Sequence, residues 1–363
     1  MDSLDIAPVG PLDGVTSSPA RPAVAAVVVN WNTRQLLHDG LANLDAHLRV
    51  RSPGGHDAGS GDAAGGVEAA GEKRDEADCD EVWDEVCVVD NGSADGSLDD
   101  IDALWPSVQL IRNSDNRGFC RASNQGIRAT DAPYVLLINT DARLADECLR
   151  AMATHLDRDS SVAIVGPRLV YGDGSFQRWT AGRPLTLWTC TVYYLLLERL
   201  GGSRRRLFQS MYIRSDTQQP VEVGWVSSAV MLIRRSALDA IGLLDEGIFL
   251  YMDDVDICDR ARRHGYRVMY AADATAVHFM GSSSARAIDG QASPEAIRSL
   301  LRWFGRRHGR SQELALRMVV GAGFGLRSAL FAARSLLESA GGPSRRSSAA
   351  HLANLKTVLK GAT

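Results

Sequence analysis

Apolar residues arrive along this chain in two alternating rhythms. The run Ala23-Val-Ala-Ala-Val-Val-Val-Asn30 is continuous, the pattern of a strand buried on both faces of a sheet. Leu37, Leu41, Leu44 and Leu48 then recur at helical spacing, which places them on one face of a helix returning along that sheet. The alternation resumes with a strand over 85–90, a helix capped by Ser97, a strand over 108–112, a helix over 119–130 and a strand over 134–139. Strands alternating with helices predict a parallel sheet with right-handed crossovers. A helix over 145–158, a strand over 162–166, a strand over 224–234, a short helix, an acidic helix starting at Asp254 and a strand over 266–278 follow, and the remainder from about 290 reads helical. The pattern predicts an α/β chain: a Rossmann-like, mainly parallel sheet flanked by helices, with a helical C-terminal extension.

Four segments depart from the rhythm. Residues 1–22, rich in proline and aspartate, are expected to be disordered. Residues 51–80, rich in Gly, Ala, Asp and Glu, are too poor in large apolar side chains to pack and read as a flexible surface insertion. Residues 187–197 are nearly all apolar and are followed by Arg204, Arg205 and Arg206; the run is too short to span a bilayer and leaves core helix and interfacial patch both open. Residues 314–337 are apolar but interrupted by Arg317, Arg327 and Arg334, which favours packing or surface association over crossing a membrane. The organisation expected is a disordered 1–22, one domain over 23–285 and a helical region over 286–363.

Composition narrows the class without choosing it. With 363 residues, 45% hydrophobic and 23% charged, the chain can bury one large core or two moderate ones. A net charge of −4 gives no basic footprint for nucleic acid, so no nucleic-acid partner is expected. Six cysteines without a Cys-x-x-Cys pair read as reduced thiols of a cytoplasmic protein, and the start lacks the basic and apolar regions of a secretory signal.

Candidate chemistry lies where strands end. Asp90-Asn91-Gly92-Ser93, Asn139-Thr140-Asp141 and Asp253-Asp254-Val255-Asp256 are acidic clusters from separated stretches, and ligands of open α/β sheets bind outside the strands' carboxyl ends. Each cluster has a plainer reading. Asp90-Asn-Gly-Ser is turn chemistry, Asp141 is a helix cap, and Asp253, Asp254 and Asp256 suit a helix N-terminus. Likewise His278 is a satisfied structural histidine, and Trp225 is core.

Taken in order, Asn30-Trp31-Asn32, Asp90-Asn-Gly-Ser, Asn116-Arg117-Gly118-Phe119, Asn139-Thr-Asp141, Gly224-Trp225-Val-Ser227-Ser228-Ala, Asp253-Asp254-Val-Asp256 and Val277-His278-Phe-Met-Gly-Ser282 resemble the family 2 glycosyltransferases, in particular their rhamnosyltransferase-like members. The resemblance covers about residues 23–285. It implies a GT-A fold and an inverting, metal-dependent sugar transfer. By the match, Asn30, Asn32, Asp90, Asn116, Arg117, Gly118, Asn124, Asn139 and Asp141 bind the donor, with Asp90 accepting the N–H of its pyrimidine base. Asp141 and His278 hold Mg2+ or Mn2+. Asp254 is the general base, and Asp253 orients the acceptor where relatives usually carry a glutamate. Gly224, Trp225 and Ser227 face the acceptor, and Ser282 and Ser283 touch phosphate.

The resemblance further implies a nucleotide-diphosphate sugar donor, dTDP-L-rhamnose first, and a glycan or polyprenyl-diphosphate-linked sugar acceptor. It also implies work in the cytoplasm, at the inner face of the plasma membrane through peripheral association. The alternatives are a transferase using another UDP- or GDP-sugar and a non-catalytic nucleotide-sugar-binding protein. A sugar-1-phosphate nucleotidyltransferase would need a glycine-rich loop after the first strand; Asn30-Trp-Asn32-Thr-Arg-Gln has no glycine. A two-carboxylate glycosidase would not need the nucleotide-binding loops.

Overall fold

The computed structural model describes residues 23–48, 84–200, 207–215, 217–279, 293–336 and 343–360. The expected disorder of 1–22 and insertion at 51–80 lie outside these residues, as do Cys79, Arg204 to Arg206, Ser282 and Ser283.

The first half follows the predicted alternation: β1 (Val24–Asn30), α1 (Arg34–Asp45), β2 (Glu85–Asp90), α2 (Ile101–Leu104), β3 (Gln109–Arg112), α3 (Phe119–Arg128) and β4 (Tyr134–Asn139). These four strands are mutually parallel in the order β3-β2-β1-β4, with Asn30 level with Asp90 and Val29 level with Asn139. All their carboxyl ends therefore open on one edge. Leu37, Leu41 and Leu44 are buried on α1, as their spacing requires.

The second half is mixed. It runs through β5 (Ala142–Leu144), α4 (Cys148–Arg158), β6 (Val162–Val170), β7 (Ala181–Gly182), α5 (Leu187–Tyr194), β8 (Val221–Glu222), β9 (Trp225–Val226), β10 (Val230–Arg234), α6 (Arg235–Ile241), α7 (Asp253–Arg263) and β11 (Arg267–His278). The sheet continues β4-β10-β6-β11-β5; β10 is antiparallel to both its neighbours, and β11 is parallel to β6 but antiparallel to β5. Running against β4, β10 starts beside the edge where β4 ends. The segment before it, Ser227 to Ala229, is thereby brought to the carboxyl edge.

Two local expectations are corrected. Ser97 does not cap a helix, because Asp95 accepts both its N–H and its hydroxyl in a tight turn, and α2 is a single turn beginning after Asp100. The strand expected over 224–234 is two strands: β9 pairs with β7, then Ser227 donates its N–H to Thr180 O and its hydroxyl accepts from Ala229 N, turning the chain before β10 joins the main sheet.

The chain ends in α8 (Pro294–His308), α9 (Arg310–Ser335) and α10 (Pro343–Lys360). Their Phe304, Leu316, Val320 and Phe324 join one hydrophobic cluster with Trp225, Ile257 and Tyr270, so the proposed boundary near 285 does not separate two cores. α5 belongs to that cluster through Cys190 and Tyr194. The run 187–197 is thus partly core: Cys190, Val192 and Tyr194 are buried, the other residues are half-buried, and Trp188 is exposed. Burial of each such large side chain contributes about 1.5–3 kcal/mol. The five described cysteines are free and buried, matching the expectation of reduced thiols.

Candidate active site

The three acidic clusters meet at one edge through a continuous set of hydrogen bonds. Asn30 Nδ2 reaches Asp90 at 2.7 Å, Thr33 Oγ1 reaches both Asn30 Oδ1 at 2.7 Å and Thr140 Oγ1 at 3.1 Å, and Asn139 N donates to Ala229 O at 3.0 Å. One residue before Ala229, Ser228 Oγ donates to Asp253 at 2.6 Å. On the other flank, Phe279 N donates to Asp141 O at 2.9 Å, which fixes His278 against Asp141.

The loops after β1 and β2 are built largely from their own polar side chains. Asp90, buried at the end of β2, accepts from Asn30, from the Ser93 hydroxyl at 2.6 Å, and from the N–H groups of Gly92 and Ser93 at 3.0 and 2.8 Å. Both its oxygens are thereby engaged, so here it closes the turn rather than presenting a free acceptor. Asn32, with a left-handed φ of 52°, returns the brace by accepting from Ala94 N and donating its own N–H to Ser93.

Asn116 caps Gly118 N at 2.9 Å, and Asn91 reaches toward Asn116 and Gly118 O. Gly118 has φ +83°, and a Cβ there would lie 2.8–2.9 Å from Phe249 side-chain and backbone atoms; only glycine lets the 116–118 loop pack on the segment leading into α7. Two expectations change here. Arg117 pairs with Asp115 at 3.6 Å at the surface. Buried Asn124 spends its whole amide on Leu244 N, Leu244 O and Glu246, a clasp between α3 and the 244–246 loop rather than a donor contact.

Asp141 and His278 are side by side, His278 Nε2 standing 3.3 Å from Asp141 Oδ1 with both largely buried. Burial pushes the Asp141 carboxyl up, but the hydrogen bond and charge of His278, its own backbone and Arg143 outweigh it and hold it below its ordinary value. The ring is oriented by Gln177, a fully buried residue that sequence reasoning missed. Gln177 Nε2 donates to Val170 O and His278 O, so its Oε1 must face His278 Nδ1, 3.0 Å away, and accept its proton. A proton on Nε2 makes the hydrogen bond to Asp141; a divalent cation taking the place of that proton would meet an Nε2 lone pair beside a carboxylate oxygen.

Two adjacent acceptors of this kind are a natural ligand pair for a divalent cation, with the outer partner fixing the tautomer as such partners do. Among the described residues no group of three or more His, Cys, Asp or Glu is gathered; Mg2+ commonly completes such a set with water and substrate oxygens. Asn139, partly exposed at the end of β4, lies two residues from this pair. Replacing Gln177 with leucine should weaken Mn2+ binding by about 10–100-fold, measured by calorimetry. Unchanged affinity would show that the ring needs no such support.

The third cluster opens α7. Tyr251 and Met252 both take left-handed backbone, φ 63° and 69°, a costly conformation for two consecutive non-glycine residues that sets where the next two carboxylates point. Asp253 is buried and bound to Ser228; burial pushes its carboxyl up. Asp254 is partly exposed, and burial followed by the neighbouring Asp253 charge pushes it up to about 8. A carboxyl poised near neutral pH is suited to accept a proton from a substrate. Asp256 has the plainer role, pairing with Arg260 one turn along α7 at 2.8 Å and accepting from Trp303 Nε1 of α8 at 3.1 Å.

On the β9 side, Gly224 is required by close approach, since a Cβ would lie 2.1 Å from Pro184 N. Trp225 is corrected to core: it is 4% exposed and sits edge-on to Tyr212 at 5.8 Å, offering no open face for a sugar ring. Ser227 shapes the turn, and its neighbour Ser228 holds the acid. The sequence signal for Ser228 was its place in the Ser-Ser pair, which did not say which serine mattered.

Residues 83–242 match the model of Glycosyl transferase family 2. The chain is 28% identical over 214 residues to an N-acetylglucosaminyl-diphospho-decaprenol L-rhamnosyltransferase of Mycobacterium tuberculosis, covering 55% of this chain and 68% of that protein. It is 24% identical over 205 residues to the dTDP-rhamnosyl transferase RfbF of Shigella flexneri, covering 55% of this chain and 62% of that one. In structure it is similar to a mannosyltransferase of Pyrobaculum calidifontis solved with GDP-Man and Mn2+, with a TM-score of 0.54 and 17% identity over 97% of this chain and 90% of the other. The fold is GT-A-like.

Proposed function

We propose, on the premise that this chain is a glycosyltransferase carrying a family 2 domain, that it transfers L-rhamnose from dTDP-L-rhamnose with inversion to a polyprenyl-diphosphate-linked sugar. The observation that carries the reading is the meeting, at one sheet edge, of a raised carboxyl at Asp254 with the Asp141 and His278 pair. The donor and acceptor classes are supported by the rhamnosyltransferase relatives, one named for a decaprenol-linked substrate and one for a dTDP donor.

Asp254 takes the proton of the acceptor hydroxyl as its oxygen attacks the anomeric carbon, while the bond from that carbon to the diphosphate oxygen breaks on the opposite face. One displacement inverts the centre, and no covalent enzyme intermediate is needed. Asp253, held by Ser228, orients the acceptor and keeps Asp254 basic. Asp141 and His278 would hold Mg2+ or Mn2+, whose charge stabilises the leaving diphosphate. Asn30, Asn32, Asp90, Asn116 and Gly118 form the wall beside the base and ribose, acting chiefly through loop shape. Asn139, whose side chain makes no hydrogen bond among the described residues, is available to the donor.

A lipid-linked acceptor requires that the enzyme work at the membrane's cytosolic face as a peripheral protein. Calorimetric titration with dTDP-, UDP- and GDP-sugars in the presence of Mn2+ tests the reading. The expected outcome is dTDP-L-rhamnose bound at least about tenfold more tightly, a difference of about 1.4 kcal/mol. Tighter binding of a UDP- or GDP-sugar would reassign the donor, and no binding of any nucleotide sugar would remove the proposal.

A further inference from the structure

We propose that the outward face of α9, together with the exposed leucines of α10, is a docking surface for a bilayer carrying anionic lipid. The inner face of α9 is spent on the core through Leu316, Val320 and Phe324, each at most 4% exposed. Its outer face repeats Leu314, Met318, Ala322, Leu326 and Leu330, and the four large residues are 47%, 71%, 43% and 51% exposed. This is an apolar stripe along most of a 26-residue helix, joined by Leu359 of α10 at 75% exposed. Such stripes on single helices mark partner or membrane contact.

Charge chooses between those occupants. Residues 294–360 carry twelve arginines and lysines against three glutamates, in a chain whose net charge is −4. Arg302, Arg306 and Arg310 line one open hollow of about 1250 Å3 with Glu313, Leu314, Met318 and Leu359; Arg306 pairs with Asp245 at 3.1 Å and Arg310 lies 3.7 Å from Glu313, which leaves Arg302 as the cation that meets the apolar side chains most directly. A second copy docking by the same face would set arginines against arginines, whereas anionic headgroups complement them. α9 lies on the surface of the fold rather than crossing the bilayer, because it is held to α5, where Arg327 donates to Tyr193 O at 2.9 Å, and to α10, where Arg317 donates to Val358 O at 3.3 Å. Basic residues beside an apolar stripe are the pattern of an interfacial helix.

This surface does not rest on the donor or acceptor assigned above. Co-sedimentation with phosphatidylcholine vesicles containing about 30 mol% phosphatidylglycerol, against phosphatidylcholine alone, tests it. The full chain should bind the anionic vesicles and be released in part by salt. Leu314→Glu with Met318→Glu should weaken that binding by about a hundredfold with unchanged circular dichroism and donor affinity, and Arg302→Glu with Arg310→Glu should remove the preference for anionic vesicles. Failure of the wild type to bind, or equal binding by the Leu314/Met318 variant, would overturn the proposal. So would a vesicle-free dimer in sedimentation velocity that this variant abolishes, which would assign the face to a second copy. Donor titration of the same variants reports separately on the sugar-transfer reading.

Discussion

Asp254→Asn should lower sugar transfer by about 100- to 10,000-fold, the range a positioned general base contributes, while leaving nucleotide-sugar and Mn2+ affinity intact. Asparagine keeps the shape and the short bond from Val255 N at 2.8 Å, so α7 should start in the same place. The pH profile separates a base from a structural acid. Burial and the Asp253 charge hold Asp254 up to about 8, so below that pH the group is protonated and cannot accept a proton. kcat/KM should therefore climb as pH rises through about 8 and then level, and in Asp254→Asn the residual rate should lose that limb. Removing the neighbouring charge with Asp253→Asn should move the limb to lower pH.

Stability follows with its own sign: a carboxyl raised in the folded state is favourable below its unfolded pKa, and the advantage is lost as pH rises through the folded value. Above pH 8 the Asp254→Asn protein should be the more stable of the two. A wild-type limb that survives in Asp254→Asn would remove Asp254 from the base role.

What the sequence made legible depended on periodicity. β1, β2 and β4 are six or seven residues long with apolar interiors, and α1 repeats its leucines at helical spacing, so the strands and the polar residues that end them, Asn30, Asp90 and Asn139, could be located within a residue. The two-residue strands β7, β8 and β9 carry too few positions for any period, and direction is not written in an apolar run, so antiparallel β10 read like its parallel neighbours. Where a motif residue had a good local alternative, that alternative sometimes won. Asp90 satisfies its turn, and Trp225 fills the core. Gln177 was invisible for a different reason: a lone glutamine in an irregular stretch acquires its role only when β6 and β11 bring residues 101 apart in the chain into contact.

Asp141→Ala should abolish measurable Mn2+ binding and reduce transfer by about 1,000-fold or more, since stabilising a departing diphosphate without a cation forfeits several kcal/mol. The pair at 3.3 Å is the only junction of a carboxylate and a neutral-capable imidazole at this sheet edge among the described residues. Asp141 is also the stronger half, because His278, its own backbone and Arg143 outweigh burial and keep it charged into the acid range. His278→Ala should cost less, and the double variant should be little worse than Asp141→Ala, because two ligands of one ion do not contribute independently.

Asp141→Asn is the sharper control: it retains size and the backbone bond from Phe279 N but loses the charge. Calorimetry or the Mn2+ resonance spectrum reads the binding directly, without relying on turnover. Full activity after exhaustive chelation, or Mn2+ affinity untouched in both Asp141 variants, would mean that this buried ion pair only ties β11 to the end of β4.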